Sequence, residues 1–296
     1  KVRQILYNES TLCPGGETGR HAAFRALCSQ GRGGSNPLLG TNFMKATLTI
    51  LGSGTMVPTK ERNPAAFLLD VGGVRILLDC GHGTLQRMIQ YGIDPQSVDV
   101  LFVSHFHTDH FGGVMGFIHS RFVEDLYLKQ RHKKLLIIGP KNLEKNFETL
   151  RKISWPEPHE SYPLIFKEGP QKIRIGKVSI EIFRVKHVPW FASVGIRIRF
   201  GKKTVVYTGD VGSTHPFADL VQQTKNADLL ITEASHEYPT ESHYSFGQIE
   251  ELVEKAKIKK VLIMHIPFTF VKRLKQLVGK KPKFVVGKDG LKINLV

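Results

Sequence analysis

One run of ten residues, at positions 104–113, constrains this chain more than any other segment. It reads Ser-His-Phe-His-Thr-Asp-His-Phe-Gly-Gly and follows an apolar run with the composition of a buried strand. Imidazole and carboxylate groups are the ligands that zinc and similar first-row metals prefer. His105 and His107 project the same way from extended backbone, while Asp109 and His110 lie beyond the bend. The run therefore predicts a metal site on a turn after a strand, with two pairs of ligands for two metals.

The segment from His105 to His110 matches the His-x-His-x-Asp-His signature of the metallo-β-lactamase superfamily, which the chain resembles. The resemblance implies three further ligands downstream, each on a loop after a strand. The candidates are His187, Asp210 and His265, which follow strand-like runs at 177–186, 204–208 and 260–264. It also implies an α/β fold, a four-layer αβ/βα sandwich built from two similar halves.

The resemblance divides seven ligands between two divalent metal ions. The first is surrounded by His105, His107 and His187, the second by Asp109, His110 and His265, and both are bridged by Asp210. We expect zinc, with manganese or iron as the alternatives. A hydroxide that bridges two such metals is a nucleophile near neutral pH and can attack an amide, an ester or a phosphodiester. The ligand set therefore predicts hydrolysis and leaves the substrate open.

Other motifs resemble one branch of the superfamily, the tRNA 3′-processing ribonuclease Z. They are a Gly-x-Gly, Pro and Arg-Asn order at 52–63, an Asp-Cys-Gly-x-Gly-Thr run at 79–84, and a Glu-Ala pair at 233–234 followed by His243. The likeness implies that His243 donates a proton to the leaving group, so Asp109 and His243 are the candidate catalytic residues. Asp79 and Glu233 are candidates for carboxylates that support them. The alternatives are a cap-neighbour role for His243 and an ordinary strand-end role for Asp79.

The chain departs from that branch in one respect. Short-form enzymes of the branch carry a long basic arm for the tRNA elbow, inserted between the third histidine ligand and the bridging aspartate. Only 22 residues separate His187 from Asp210 here, and they read as two strands with a tight turn at 201–203. The resemblance therefore extends to the chemistry, whereas binding of whole tRNA precursors is not expected.

Composition indicates the class of protein and its partners. The 296 residues include 42 Lys and Arg against 26 Asp and Glu, a formal net charge of +16. This balance favours an RNA or phosphodiester substrate, with a lysine-rich solvated surface as the alternative. Three scattered cysteines, no apolar stretch of membrane-spanning length and no secretory pattern predict a soluble cytoplasmic protein with no membrane association. Relatives commonly form homodimers, and no segment here decides between a monomer and a homodimer.

Residues 1–43 differ from the rest, because they are rich in Gly, Ser, Arg and Asn and lack sustained periodicity. We expect them to form a poorly structured N-terminal extension, foreign to the native protein if Met44 is its natural start. We expect residues 44–296 to form one hydrolase domain. Strands are predicted at 46–51, 65–71, 74–79, 99–103, 134–139, 177–186, 193–199, 204–208, 228–232 and 260–264. Helices are predicted at 84–91, 111–126, 141–153, 214–224, 245–256 and 269–278.

The leading hypothesis is a dinuclear hydrolase that cleaves phosphodiester bonds, in RNA 3′ ends or in small phosphodiesters. The alternative is a carboxylic ester, lactone or thioester hydrolase with the same metal site. The two hypotheses give His243 different importance, because ester-cleaving branches often lack that histidine. A non-catalytic binding subunit is disfavoured, since the complete ligand set provides what hydrolysis needs.

Overall fold

The computed structural model describes residues 45–129, 133–156 and 161–295. The extension expected at 1–43 and the start at Met44 lie outside these ranges. The strands are β1 Ala46–Gly52, β2 Ala66–Val71, β3 Val74–Leu78, β4 Val100–Phe102, β5 Leu135–Gly139, β6 Leu164–Glu168, β7 Lys172–Ile175, β8 Val178–Val185, β9 Ser193–Phe200, β10 Lys203–Tyr207, β11 Leu229–Glu233, β12 Val261–Met264, β13 Phe284–Val286 and β14 Lys292–Asn294. The helices are α1 Thr84–Gln90, α2 Thr108–Phe111, α3 Val114–Leu128, α4 Leu143–Ser154, α5 Phe217–Thr224, α6 Phe246–Lys255 and α7 Val271–Val278, and a 3₁₀ turn covers Pro95–Ser97.

The described strands form two sheets of seven strands with the same plan. The first has the order β14-β1-β2-β3-β4-β5-β6 and the second the order β13-β12-β11-β10-β9-β8-β7. In each sheet, a run of antiparallel neighbours (β1 to β3, β7 to β10) continues into a run of parallel ones (β3 to β6, β10 to β13). The predicted construction from two similar halves is therefore visible in the strand pairing.

The two sheets pack face to face, and helices cover their outer faces. Alternation along β9 shows why: Ile196 and Ile198 are buried in the core between the sheets, while the intervening Arg197 is less buried. Across that core the rings of Phe67 and Tyr207 meet edge to face, with centroids 5.6 Å apart. Helices α1, α3 and α4 cover the first sheet and α5, α6 and α7 the second. Among the described residues, no helix has both the length and the apolarity that crossing a bilayer requires.

The four-layer αβ/βα prediction is confirmed, and most predicted elements lie within a few residues of the observed ones. The single helix predicted at 111–126 is wrong, because α2 and α3 are separate and the chain bends at Gly112 and Gly113. A Cβ at Gly113 would lie 2.4 Å from the Gly81 carbonyl oxygen, so two backbone segments touch there. Four strands, β6, β7, β13 and β14, were not predicted, because they are only three to five residues long and their residues are mostly only half buried.

Candidate metal centre

The first four candidate ligands lie at the end of β4, where the chain turns into α2. His105 and His107 are on the connecting loop, and Asp109 and His110 belong to α2 itself. The loop after β3 holds this turn in place, since the Cys80 amide donates to the His110 carbonyl at 2.8 Å. Four ligand-type side chains are thus fixed on a backbone that is hydrogen-bonded to its neighbour.

The other three candidate ligands come from the second sheet, and each follows the end of a strand. His187 follows β8, Asp210 follows β10 and His265 follows β12. All three side chains are almost completely buried. The strand ends of both halves therefore bring the seven side chains close together.

The first cluster consists of three imidazoles and a carboxylate. His107 Nδ1 lies 3.1 Å from His105 Nε2 and 3.2 Å from His187 Nε2. Asp210 Oδ2 lies 3.9 Å from each of those two Nε2 atoms. Two donors that each lie about 2.1 Å from a tetrahedral metal are roughly 3.4 Å apart, so these separations suit a common ion.

The second cluster shares one atom with the first. His265 Nε2 lies 3.1 Å from Asp109 Oδ2, and His110 Nε2 lies 3.8 Å from that same oxygen. Asp210 Oδ2 again completes the group, 3.4 Å from His110 Nε2 and 3.3 Å from His265 Nε2. One carboxylate oxygen therefore faces both clusters.

The donor atoms fit divalent metal ions in chemistry as well as in spacing. Within the described residues, His110 Nε2 and both carboxylate oxygens of Asp210 are buried and make no hydrogen bond. Such atoms are costly to bury unless another group binds them. Nitrogen and oxygen donors of this kind suit zinc, manganese and iron. The clusters are sites for divalent metal binding.

Three of the imidazoles have ionisation states that suit metal binding. Burial lowers the pKa of His105, His107 and His187, so their imidazoles are neutral and keep a lone pair for a ligand bond. Another, His110, must release a proton when a metal binds, because burial lowers its pKa but the Asp210 and Asp79 carboxylates outweigh that effect and raise it well above its usual value. Burial opposes ionisation of Asp210, but the imidazoles of His265 and His110 outweigh it and hold the pKa of that carboxyl well below its usual range. The Asp210 carboxylate is therefore charged.

Asp79, the first supporting candidate, lies completely buried behind the centre. One oxygen accepts the Ser104 amide at 2.6 Å, and the other accepts His110 Nδ1–H at 2.6 Å, the Ser104 hydroxyl at 2.7 Å and the hydroxyl of Tyr207. The Ser104 hydroxyl in turn lies 2.9 Å from His105 Nδ1. Asp79 thus contacts one imidazole of the centre directly and a second through Ser104.

Glu233, the second supporting candidate, repeats this arrangement in the other half. It is completely buried, and one oxygen lies 2.7 Å from His243 Nδ1 and accepts the Ser235 hydroxyl at 2.6 Å. Ser235 Oγ lies 2.9 Å from His265 Nδ1. Glu233 therefore contacts His243 directly and His265 through Ser235.

His243 lies at the edge of the centre with part of its ring open to solvent. Its ring stacks against His265 at 5.2 Å between centroids, and its Nδ1 is 4.0 Å from Asp210 Oδ2. Burial lowers the pKa of His243, but the Glu233 carboxylate outweighs that effect and raises it to about 9. This imidazole therefore carries a proton at neutral pH, unlike the buried His105, His107 and His187.

Comparison with known proteins places the chain in a family. The family profile described as "Anti-Pycsar protein Apyc1" matches residues 46–276, which is most of the chain. The chain belongs to this family.

Other known proteins are similar to the chain in sequence or in fold. Ribonuclease Z of Methanosarcina acetivorans is 27% identical over 274 residues, which cover 74% of this chain and 87% of the relative. The metallo-β-lactamase fold protein YhfI from Bacillus subtilis superposes with a TM-score of 0.71 and 20% identity, covering 86% of this chain and all (100%) of that one. Human tRNase Z, short form, gives a TM-score of 0.67 and 19% identity, covering 83% and 98%. This Apyc1-family chain is a metal-dependent hydrolase of the ribonuclease Z-like kind, as predicted.

The interval between His187 and Asp210 agrees with the short connection read from the sequence. It consists of a loop, β9 and β10, and the two strands pair directly from Phe200 with Lys203. In this Apyc1-family chain the interval is thus filled by one hairpin, with no room for an inserted arm.

Residues of the ribonuclease Z-like N-terminal motif make structural hydrogen bonds in this Apyc1-family chain. The Arg62 guanidinium donates to the Ser53 hydroxyl at 2.8 Å and to the Gly287 carbonyl at 2.6 Å. The Asn63 side chain donates to the His82 carbonyl at 3.0 Å. The motif therefore supports the loop that carries Asp79, rather than supplying donors to the metal clusters.

Sequence reasoning missed several neighbours of the centre. Ser104 and Ser235 link the supporting carboxylates to imidazoles, and their only sequence signal is that each lies within two residues of a candidate site residue. The exposed ring of His236 stacks on His243 at 5.5 Å, and Phe191 packs edge-on against His107 at 4.9 Å. Cys80 is buried, as predicted, and burial raises the pKa of its thiol to about 12, so it is chemically inert.

Proposed function

We propose that residues 44–296 form a dinuclear metal-dependent phosphodiesterase that acts on RNA 3′ ends or on small phosphodiesters. The observation that carries this proposal is the single Asp210 oxygen that lies within 3.9 Å of imidazole nitrogens in both clusters. A carboxylate oxygen that lies between two ligand clusters can bridge two metal ions, and paired metal ions of this kind stabilise the attacking and leaving oxygens of a phosphodiester. The ribonuclease Z relatives support the choice of a phosphodiester.

We assign the first metal to His105, His107 and His187, the second to Asp109, His110 and His265, and the bridge to Asp210. Zinc is our first choice, because nitrogen-rich donor sets with carboxylates are its usual ligands. Divalent cations bound there lower the pKa of water and offset negative charge on a phosphoryl oxygen. Asp79 accepts the Nδ1 proton of His110 and leaves Nε2 of that ring free for a metal ion, whereas Glu233 accepts the Nδ1 proton of His243 and orients that ring.

His243 is the proposed general acid. A departing alkoxide needs a proton, and the imidazolium of His243 stands beside the clusters with a proton on Nε2. Nearby cations lower the pKa of an imidazolium, so the Glu233 carboxylate is the group that keeps this proton in place in the loaded enzyme. A homodimer and a cytoplasmic location stay predictions from the sequence.

The test compares two phosphodiesters whose leaving groups differ in their need for an acid. One is bis(p-nitrophenyl) phosphate, whose nitrophenolate leaves without help, and the other is a dinucleotide with an alkoxide leaving group. We expect His243→Ala to lower kcat by about 10²–10⁴-fold on the dinucleotide and by far less on the nitrophenyl ester. His119→Ala is the matched control, because that ring stacks on Trp155 at 4.2 Å, on α3 and away from the clusters.

Equal losses of kcat on both substrates would rule out His243 as the acid. A zinc-loaded protein that cleaves carboxylic esters rapidly and neither phosphodiester would refute the proposed function itself. In that case the alternative, a carboxylic ester, lactone or thioester hydrolase, would replace it.

A further inference from the structure

Five loops at one edge of the second sheet are unusually rich in lysine. They directly precede β8, β10, β11, β12 and β13, and they cover residues 176–177, 201–202, 225–228, 256–260 and 279–283. Together these loops contain nine lysines, all exposed, and a single anion, Asp228. We call the nine lysines of these five loops the lysine row.

The strand register places the loops in one line. Lys260 and Lys283 directly precede β12 and β13, whose first residues, Val261 and Phe284, are paired. At the other end of the line, the start of β8 at Val178 pairs with the end of β9. Neighbouring strands are about 4.8 Å apart, so the five spacings from β13 to β8 make the row roughly 24 Å long. A line of like charges of this length fits a linear polyanion better than a small ligand.

The lysine row and the metal centre lie at opposite edges of the sheet. The proposed ligands His187, Asp210 and His265 follow β8, β10 and β12, whereas loops of the row precede the same three strands. Lys260 directly precedes β12 and His265 directly follows it, so roughly 16 Å of extended chain separates them. A phosphate bound at the row is therefore not the phosphate that reacts at the metals.

Most of the charge of the row is not neutralised by the protein. Among the described residues, only Lys259 and Lys281 of the row form ion pairs, with Asp228 at 2.8 Å and with Glu250 at 2.6 Å. Lysines that serve solubility alone are normally interspersed with acidic groups. The row therefore differs from an ordinary solvated surface.

The first sheet shows that the fold does not require such a row. By the plan that the two sheets share, the loops before β3 and β4 are equivalent to those before β10 and β11. The first of them is Gly72-Gly73, and the second, at 91–99, carries Asp94 and Asp99 and no cation. The lysine row is thus a property of this sequence rather than of the architecture.

The composition of the row favours one kind of polyanion. Proteins that hold single-stranded nucleic acid stack its bases on aromatic side chains, and segments that lie in a membrane surface insert apolar ones. The large apolar side chains that are exposed in the described part of the chain all lie outside the five loops. Charge alone suits a duplex, which presents phosphates outside and keeps its bases stacked within. A duplex has a phosphate about every 3.4 Å along each strand, so the row spans about seven base pairs.

We propose that the lysine row binds the phosphate backbone of double-stranded nucleic acid, without regard to base sequence. This site goes beyond the proposed function, because neither the two metal clusters nor His243 takes part in it. Binding of this kind releases counterions from the duplex, so it weakens steeply as the salt concentration rises.

The test measures binding of a fluorescein-labelled DNA duplex of about 20 base pairs to the zinc-loaded protein, by anisotropy at several salt concentrations. The variant replaces Lys257, Lys260 and Lys283 with Gln, because none of these three forms an ion pair with a described residue. We expect Kd at roughly 0.1 M salt to rise about tenfold or more. The slope of log Kd against log salt should fall by roughly 2–3, since each lost phosphate contact removes about 0.9.

The control replaces Lys145, Lys152 and Lys167 with Gln. These lysines are also exposed, but they lie on α4 and β6 of the first half, and their loss lowers the net charge by the same amount. We expect this variant to keep the salt slope of the wild type. Equal losses of affinity in the two triple variants, or an unchanged salt slope in the row variant, would overturn the proposal.

A kinetic measurement separates this proposal from the proposed function. Both triple variants should keep the wild-type kcat/KM on bis(p-nitrophenyl) phosphate, because the substitutions are far from the metals. Loss of duplex binding with this activity retained supports the row, whereas a parallel loss of kcat/KM in the row variant would overturn a separate site. A wild type that binds the duplex and hydrolyses neither phosphodiester supports the row and refutes the phosphodiesterase. Tighter binding to a single strand of the same length, or to phosphatidylserine vesicles, would overturn the choice of a duplex.

Discussion

Replacing Asp79 with Asn tests the proposed centre through a residue that contacts no metal. The substitution keeps the size of the side chain, and Asn tolerates the left-handed backbone found there, where φ is 58°. The carboxylate accepts four hydrogen bonds, two of them from Ser104 and one each from His110 and Tyr207. An amide nitrogen cannot accept, so at least one of these bonds is lost.

The size of the expected loss of zinc affinity follows from the tautomer of His110. If the amide oxygen keeps the bond to the Ser104 amide, the amide nitrogen faces His110 Nδ1 and donates to it. The ring proton then moves to Nε2, the atom that points at the second cluster. Loss of such an outer partner typically weakens metal affinity 10- to 100-fold, which is about 1.4–2.8 kcal/mol.

Competition with a chromophoric chelator measures the affinities for the first and second zinc ion separately. We expect the second zinc to bind 10- to 100-fold more weakly in Asp79→Asn, with a smaller effect on the first, which Asp79 reaches only through Ser104. The control is Asp70→Asn, at a side chain 39% exposed and paired with Arg75 on the sheet surface, and it should bind as the wild type does. Wild-type affinity for both ions in Asp79→Asn would refute the tautomer argument.

Three further predictions concern pH, packing and metal removal. In Glu233→Gln the pKa of His243 falls, so the alkaline limb of kcat/KM against pH should move to lower pH, and an unmoved limb would exclude His243 as the acid. A Cβ at Gly81 would lie 2.2 Å from the Asp109 carbonyl oxygen, so Gly81→Ala should lower the unfolding free energy in urea by about 1–3 kcal/mol. At Gly116, in α3, a Cβ meets nothing within 4 Å, so Gly116→Ala should raise it by about 0.5–1 kcal/mol, and equal effects of the two would contradict this packing. Removal of metal with a chelator should lower Tm in calorimetry. The expected loss of unfolding free energy is about 2.7 kcal/mol for each site at a free metal concentration of 100 times its Kd, and an unchanged Tm would mean that no metal was bound.

The sequence predicted the ligand loops well because each has a local signal. A buried strand of the central, parallel part of a sheet is a short apolar run, and His105, Asp210 and His265 each follow such a run. His187 follows β8, whose alternation of apolar and polar residues is typical of an antiparallel strand. The edge strand β7 carries no such signal, because it alternates exposed Lys172 and Arg174 with half-buried isoleucines, and its register depends on β8. The bend at Gly112–Gly113 depends on contact with Gly81, about thirty residues away, so helical periodicity alone extended the helix through it.

The sequence predicted Asp79 and Glu233 as supporting carboxylates, but their contacts through serines and between the two sheets could not be predicted, for a related reason. These contacts show how the two halves depend on each other. Asp79 follows β3 in the first sheet, yet it accepts a hydroxyl from Tyr207 on β10 of the second. Each half also ends one strand with a buried carboxylate that reaches one imidazole directly and another through a serine. Loss of one carboxylate nevertheless has a different expected effect from loss of the other. Asp79 holds imidazoles of both clusters, so its loss changes metal affinity, whereas Glu233 also sets the charge of His243, so its loss changes the pH dependence as well.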